Sequence, residues 1–599
     1  LADTLAQPGT ASPMGELGFM GQGIQDERHL ANELKTKQPI LAIIGNPPYR
    51  RLEEGENHTL VGNWMDGVWD DLKRPVRDAG WGNQLNTFPE LSVAFWRWSL
   101  WKIFEAENAP KRGIVAFITN RKFLTGKPYA GLRQMMRKRF DKIEIIDLRG
   151  DSRLGERAGV EGDQNVFNIQ VGVCITLAIA DGTKPADAEA SIHYRDTWDA
   201  KSFRRREKLS WLTASIANGN VGDWVQVNRK GLDDFRPKPF ANGEWVGLNE
   251  CFAFGGSGTE TKRDHIAYAP TRAKLELQIN ELVASTATER DELFNSTLMN
   301  SAATAQSFGW QPSTVKTASY RPLDRQFHYS DRRFNDRPRP ELLACWGETN
   351  MALFSMPSGT NAGPATWCHN SVPDRHAFRG SYGGYAFPLW DRRSGPEAHN
   401  LNPALLVGLQ EAYGKNITPT QVFDCMLCLL SAKSYSLNFA EDLEDVFPHI
   451  PFPAQYKIFL EAAALGAEIR NVETFAQTPN PEFLPASLCH FTVPPKGKII
   501  SPRYADGSFE LCEHGAGKAT GIPAEIWHYA VSGYELLPKW IKGREGLEVD
   551  LALATELRDI CGRIAELIDL SAKADKILVK TLKKVLDRAA FGLPPTSSE

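Results

Sequence analysis

The sequence predicts an α/β chain whose first part is a parallel sheet covered by helices, followed by a mixed α+β region and C-terminal helices. Three observations carry this. Over residues 1–235, short apolar runs alternate with helical patterns, the signature of strands buried on both faces. Residues 236–545 are rich in Gly, Pro, Trp and Tyr, with short irregular strand candidates. In residues 546–599, Leu557, Ile560, Ile564 and Leu567 recur at helical spacing ahead of the polar tail "GLPPTSSE", which makes one apolar stripe.

Each element of the first part has its own signal. "PILAIIG" (39–45) is an apolar strand that ends on Asn46-Pro47-Pro48-Tyr49. "FPELSVAFWRWSLWKIFEA" (88–106) has the spacing of a buried helix, and "RGIVAFITN" (112–120) is a second strand ending on Asn120. "KPYAGLRQMMRKRF" (127–140) reads as a helix, "KIEIIDL" (142–148) as a third strand and "QVGVCITLAIA" (170–180) as a fourth. Ligands of such sheets sit at the carboxyl ends of strands, where Asn46 and Asn120 fall. In the later region, "RAKLELQINELV" (272–283) and "TPTQVFDCMLCLLSA" (418–432) are helical.

Composition bounds the rest. A chain of 599 residues exceeds one hydrophobic core. The 42% apolar and 24% charged content is that of an ordinary globular chain. No apolar run approaches the ~18 residues of a membrane span, so no membrane partner is expected. The first residues carry neither a basic start nor an apolar core, so they are no signal peptide. Nine scattered cysteines suit a reducing cytoplasm rather than a disulfide framework. Cys425 and Cys428 have C-x-x-C spacing inside a buried helical pattern, with no second pair or His to complete a metal site.

A net charge of −4 predicts no nucleic-acid partner by itself, but its distribution does. "KSFRRREK" (201–208) is strongly basic. "SYRPLDRQFHYSDRRFNDRPRP" (319–340) sets six arginines against three aspartates, interleaved with Tyr320, Phe327, Tyr329 and Phe334. Arginine forks bind phosphates and guanine edges, and aromatic rings stack on bases. Arg321, Arg325, Arg332 and Arg333 are therefore candidate DNA contacts.

The Asn-Pro-Pro-Tyr turn needs a chemical reason. Two prolines stop a strand and hold the following loop rigid. Such a loop can present an amide and an aromatic ring at fixed positions. The exocyclic amine of a base is a poor nucleophile, because its lone pair is delocalised into the ring. Acceptors aimed at its two N–H groups favour the tetrahedral nitrogen that attacks a methyl group. The Asn46 side-chain oxygen and the Pro47 carbonyl can be those acceptors, with Pro48 stiffening the turn. Tyr49 would stack on a base flipped out of the duplex.

With the preceding strand, "GNPPYRR" and the later "GIVAFITNRKFL" resemble the catalytic motif and following strand of adenine-N6 DNA methyltransferases. "FDKIEIIDLRGDSR" (140–153), "NVFNIQVGVCI" (165–175), "GSGTETKRD" (256–264), "SYRPLDRQFHY" (319–329) and "WHYAVSGYELLPKWIKGREG" (527–546) are similar to the C-terminal half of type ISP restriction–modification enzymes. Those polypeptides join a nuclease, a DNA translocase, an adenine methyltransferase and a target-recognition domain.

The resemblance implies that residues 1–235 are the C-terminal part of a Rossmann-like methyltransferase sheet, that 236–545 recognise a DNA target, and that the methyl donor is S-adenosylmethionine. It implies Phe167 as a second stacking surface, with core packing as the competing role. It places Lys262 and Arg263 at a phosphate, and Asp3 at the cofactor's adenine. The Gly-x-Gly turn that cradles the donor is expected ahead of Asn46, after a strand. "FMGQGIQDE" (19–27) lacks the strand, and "CFAFGGSGTETKRD" (251–264) lacks the helix and the acid that should follow. "GAGKAT" (515–520) has Cys512 where a Walker loop needs Gly. The donor-binding strands, the nuclease and the translocase are therefore expected on an upstream part of the same polypeptide. Two other readings stay open: a recognition module that depends on a separate donor-binding part, and an RNA or protein amino-methyltransferase. The Arg/aromatic stretch favours duplex DNA.

Overall fold

A computed structural model describes Leu5, residues 18–49, 62–82, Leu85, 90–151, 162–237, 245–294, 309–357, 363–378, 383–440, 442–444 and 446–593. The chain packs as two compact units, Leu1–Glu156 with Val160–Asn242, and Gly243–Pro595. The division between them falls at Asn242/Gly243. The expected third segment, 546–599, does not separate from the second unit.

The first unit is built on a six-stranded sheet. Its strands are β1 (Ala42–Gly45), β2 (Gly113–Asn120), β3 (Lys142–Asp147), β4 (Val173–Ala180), β5 (Ser191–Asp196) and β6 (Val225–Gln226), in the order β1-β2-β4-β3-β5-β6. β1 runs parallel to β2, and β3 parallel to β5. β4 runs antiparallel to both β2 and β3, so the sheet is mixed where a parallel one was expected. No helix among the described residues separates β3 from β4, and an antiparallel return needs no crossover helix. A central strand reads as a continuous apolar run in either direction, so the run itself did not reveal the reversal.

Helices cover both faces. On one lie α2 (Gly62–Asp78), α3 (Leu91–Phe104) and α4 (Ala130–Arg139), while α1 (Gly18–Thr36) meets α3 where Lys102 Nζ donates to the Lys35 carbonyl at 2.5 Å. α3 is apolar and buried nearly all round, from Leu91 to Phe104. It fills the main core with Trp96 on Phe117, ring centroids 4.9 Å apart. On the other face Trp211 and Leu212 of α5 (Arg205–Asn218) meet Ile118, Ile146 and Ile175. The glycines of "FMGQGIQDE" fall inside α1 rather than in a strand-to-helix turn.

The carboxyl rim of this sheet is tied by buried charge. Arg121, just past β2, forks onto Asp147 at the end of β3, with Nε–Oδ1 2.8 Å and Nη2–Oδ2 2.6 Å. The Tyr194 hydroxyl of β5 donates to the same carboxylate at 2.8 Å. Arg149 pairs with Asp196 at the end of β5 and lies over the Trp198 ring at 4.4 Å.

In the second unit β7 (Gly256–Ser257), β8 (Tyr268–Ala269), β9 (Val315–Arg321), β10 (Asp324–Tyr329), β11 (Ala352–Ser355), β12 (Thr366–His369) and β13 (Tyr385–Pro388) form two small antiparallel sheets, β9-β10-β8 and β12-β11-β13-β7. α6 (Arg272–Ala284) packs on the first sheet through Leu275, Ile279 and Leu282. α7 (Pro340–Trp346) follows β10. The helices α8 (Pro419–Ser431), α9 (Tyr456–Glu473) and α10 (Leu551–Thr581) pack together. Gly466 of α9 lets the backbones touch, because a Cβ there would sit 1.8 Å from the Asp424 carbonyl oxygen. Cys425 and Cys428 are buried core residues of α8. The stripe Leu557, Ile560, Ile564 and Leu567 is the buried face of α10, so the last helix completes this core rather than standing apart. No helix among the described residues is long and apolar enough to cross a membrane.

The rim yields the first prediction. Asp147→Ala strands the largely buried Arg121 guanidinium without its partner, which costs roughly 3–5 kcal/mol. Urea unfolding of the chain should show that loss in the first transition; a midpoint equal to wild type would contradict the role given to the fork.

Candidate functional site

β1 ends at Gly45, which faces Phe117 across the parallel pairing. A Cβ at this glycine would come within 3.2 Å of the Phe117 ring, so a small residue lets the strand close on β2. Asn46 then stands exposed at the rim, Pro47 is buried, and Pro48 is exposed. Tyr49 is half-buried beside Ile118, Ile146 and Ile175, in a cluster with Leu148, Val166 and Val173.

The Tyr49 hydroxyl donates to Asn46 Oδ1 and lies 3.3 Å from the Ile118 carbonyl. Burial, with the Cys174 thiol adding to it, pushes the Tyr49 phenol up to about 12. The phenol therefore stays a donor at neutral pH and holds the Asn46 amide in one orientation. An amide oxygen has two lone pairs, so one remains for an incoming N–H. Asn120 does a different job: its Oδ1 accepts from Lys122 N–H at 2.9 Å and caps the turn after β2.

Phe167 is 42% exposed and is in none of the core clusters of the described residues. Its loop is well anchored. Asn165 Oδ1 accepts from the Phe167 N–H at 2.8 Å, and Asn165 Nδ2 donates to the Val171 carbonyl at 2.7 Å. Lys208, buried in α5, reaches the Leu148 and Gln164 carbonyls, each at 2.8 Å, and the Asp163 carboxylate. Val166, next to Phe167, packs in the Tyr49 cluster. The two rings thus belong to one rim. Asn165 and Lys208 were missed in the sequence because a buried lysine inside a basic run looks like any other solvated charge. Asp3 lies outside the described residues.

In the second unit the Arg/aromatic stretch departs from expectation. Tyr329 and Phe334 are fully buried and meet edge-on at 5.1 Å, so they build core rather than a stacking platform. Arg263 is buried on Asp336 at 2.7 Å. Arg321 is largely buried on Asp374 at 2.8 Å. Neither presents a fork to a phosphate. The reason is that these arginines find aspartates inside the fold, and a charge count along the chain cannot tell a paired arginine from an available one. Arg333 holds Asp331 at 2.8 Å and stays partly exposed. Arg325, over the Phe475 ring at 4.0 Å, is exposed, as are Arg332 and Lys262.

Residues 250–561 match the family model of the Type ISP C-terminal specificity domain. The chain belongs to this family. Its fold is similar to that of the ATP-dependent Type ISP restriction–modification enzyme LlaBIII bound to DNA, with TM-score 0.54 and 18% identity over 95% of this chain and 39% of that one. It is similar also to a nuclease-deletion mutant of the Type ISP enzyme LlaGI in complex with a DNA substrate mimic, with TM-score 0.52 and 16% identity over 94% of this chain and 46% of that one. The Type ISP chain thus spans less than half the length of either enzyme. No curated protein matches it.

Beside the Asn-Pro-Pro-Tyr turn of this Type ISP chain lies a cavity of ≈ 210 Å³, lined by residues that include Asn46, Pro48, Phe95, Trp98 and Ser99. Ligand sites generally need about 300–1,000 Å³. Its lining has no Gly-rich turn and no carboxylate for a ribose. This cavity therefore does not fit a whole S-adenosylmethionine.

The half-buried Tyr49 phenol can be read directly. In an alkaline absorbance titration, Tyr49→Phe should remove one phenol that ionises near 12. Loss of a phenol that ionises near 10 would show that Tyr49 is not held as described.

Proposed function

We propose that this chain is the modification and target-recognition part of a Type ISP restriction–modification enzyme, and that its first unit directs adenine-N6 methylation of duplex DNA. The observation that carries the reading is the exposed Asn46 amide at the rim of β1, oriented by the Tyr49 hydroxyl. An adenine amino group placed there gives one hydrogen to the free lone pair of Asn46 Oδ1 and the other to the Pro47 carbonyl. Both bonds strengthen as the nitrogen becomes tetrahedral, so they favour the transition state over the ground state. No general base is needed before methyl transfer. Tyr49 and Phe167 brace the extruded base, which offsets part of its unstacking cost.

S-adenosylmethionine is the methyl donor in this reading, and its contacts fall largely to residues other than the described ones. The second reading, a recognition module without transfer of its own, is favoured by that incomplete cradle. RNA or protein substrates find no specific support in the geometry.

Asn46→Ala, introduced into the complete gene, should lower N6-methyladenine formation by roughly two to three orders of magnitude. Duplex binding should persist, because phosphate contacts supply most of it. Unchanged methylation would overturn the assignment. Phe167→Ala should weaken capture of the flipped base by about 1–3 kcal/mol, read as a smaller fluorescence rise from 2-aminopurine at the target adenine. An undiminished rise would remove Phe167 from the site.

A further inference from the structure

Four cations of the second unit gather around one carboxylate. Glu260 is buried, 3% exposed, and its Oε2 accepts from Arg375 Nη1 at 2.5 Å. Lys262 Nζ lies 2.6 Å from Glu260 Oε1, and Arg337 Nε lies 3.6 Å from Oε2. Arg339 stands alongside, donating to the Gly258 carbonyl and the Ser257 hydroxyl, each at 3.3 Å. Backbone bonds fix the arrangement. Glu260 and Arg337 exchange N–H···O bonds of 3.2 and 3.0 Å, and the Arg375 N–H donates to the Thr259 carbonyl at 2.7 Å. Lys262 and Arg339 hold φ at +62° and +55°, a region that non-glycine residues rarely adopt.

One carboxylate does not neutralise four cations. The surrounding pairs leave the sign unchanged. Arg321 takes Asp374 and lies 3.8 Å from Asp264, and Arg263 takes Asp336. Among the described residues of this group six cations face four carboxylates. The crowding shows in the titrations. Burial, then Arg375 and Arg337, pull the Arg339 guanidinium below its usual range. Against burial, which would raise it, Lys262 and Arg375 hold Glu260 down at about 2. In a chain of net charge −4 this local excess is no general property of the surface. Tyr385, 37% exposed, pairs with Ser257 across β13 and β7 and adds a ring at the flank.

We infer that Lys262, Arg337, Arg339 and Arg375 form a backbone-phosphate site for duplex DNA, with Glu260 as the positioning residue that holds them together. The inference rests on the reading that this chain recognises DNA, and names where the duplex is gripped. Three forks and one point charge suit the phosphodiester oxygens. Contacts of this kind set position along the duplex and carry no sequence information.

The test is duplex affinity of the full 599-residue chain, measured by fluorescence anisotropy with a mixed-sequence duplex between roughly 50 and 200 mM salt. Lys262→Gln with Arg337→Gln should reduce the slope of log affinity against log salt by about 2, one for each cation. Both side chains are more than half exposed, at 51% and 55%, so the fold should survive, with thermal unfolding as the control. Arg337→Lys should restore most of the single-site slope. A wild-type slope in the double variant overturns the phosphate site while leaving DNA recognition intact. A wild-type chain that binds no duplex overturns both.

Discussion

The carboxylate of Asp147 is the point on which the first unit turns. It is fully buried at the end of a strand, where an ionised group survives only if its lone pairs are taken up. Arg121, the Arg149 N–H and Tyr194 take them. These partners come from the exit of β2, the turn after β3 and the end of β5, so one ion fixes three segments at the same rim. Lys208 extends the lock to the 163–164 segment, and Asn165 carries it to Phe167. By contrast β1 is four residues long and borders one strand. Its position is borrowed from β2, whose own end is set by the Arg121 fork.

That borrowed rigidity is what the proposed reaction asks of a turn without a strong base. Positioning catalysis works only if the acceptor is in place before the substrate arrives. A lone exposed Asn would sample several rotamers. Here the Tyr49 hydroxyl selects one, and the apolar surroundings that keep the phenol neutral also hold its ring. In the proposed reaction the tyrosine serves twice, as a ring for the base and as a donor to the amide. A phenylalanine would keep only the first role.

Much of this was legible in the chain. The apolar runs located β1 to β4 within a few residues, and Asn46-Pro47-Pro48-Tyr49 marked the rim because adjacent prolines leave a strand no way to continue. The reversal of β4 was hidden, since burial on both faces erases direction. The arginines misled for a related reason. Alternating Arg and Asp looked like surplus charge, yet Arg263 and Arg321 close on Asp336 and Asp374 from distant parts of the chain. Arg337 and Arg339 were counted among the six arginines of that stretch but not singled out, because what sets them apart is where Glu260 sits, and that is a tertiary fact.

The remaining asymmetry concerns the outer edge of β1. Ile44 is 82% exposed on a strand whose outer side no described strand pairs, and Leu41, just before that strand, also faces solvent. An apolar edge of this kind is costly in water and receptive to a further strand. Direction matters. A strand added parallel to β1 would end its carboxyl terminus beside Asn46, where open α/β sheets hold their ligands. A strand added antiparallel would bring its amino end there instead. Under the proposed function the base-facing half of the chemistry lies at the rim described above, and the edge along Ile44 is where a further strand would pair. Changes at Asn46 and at Ile44 accordingly probe different things, the transition state in one case and the assembly of the sheet in the other.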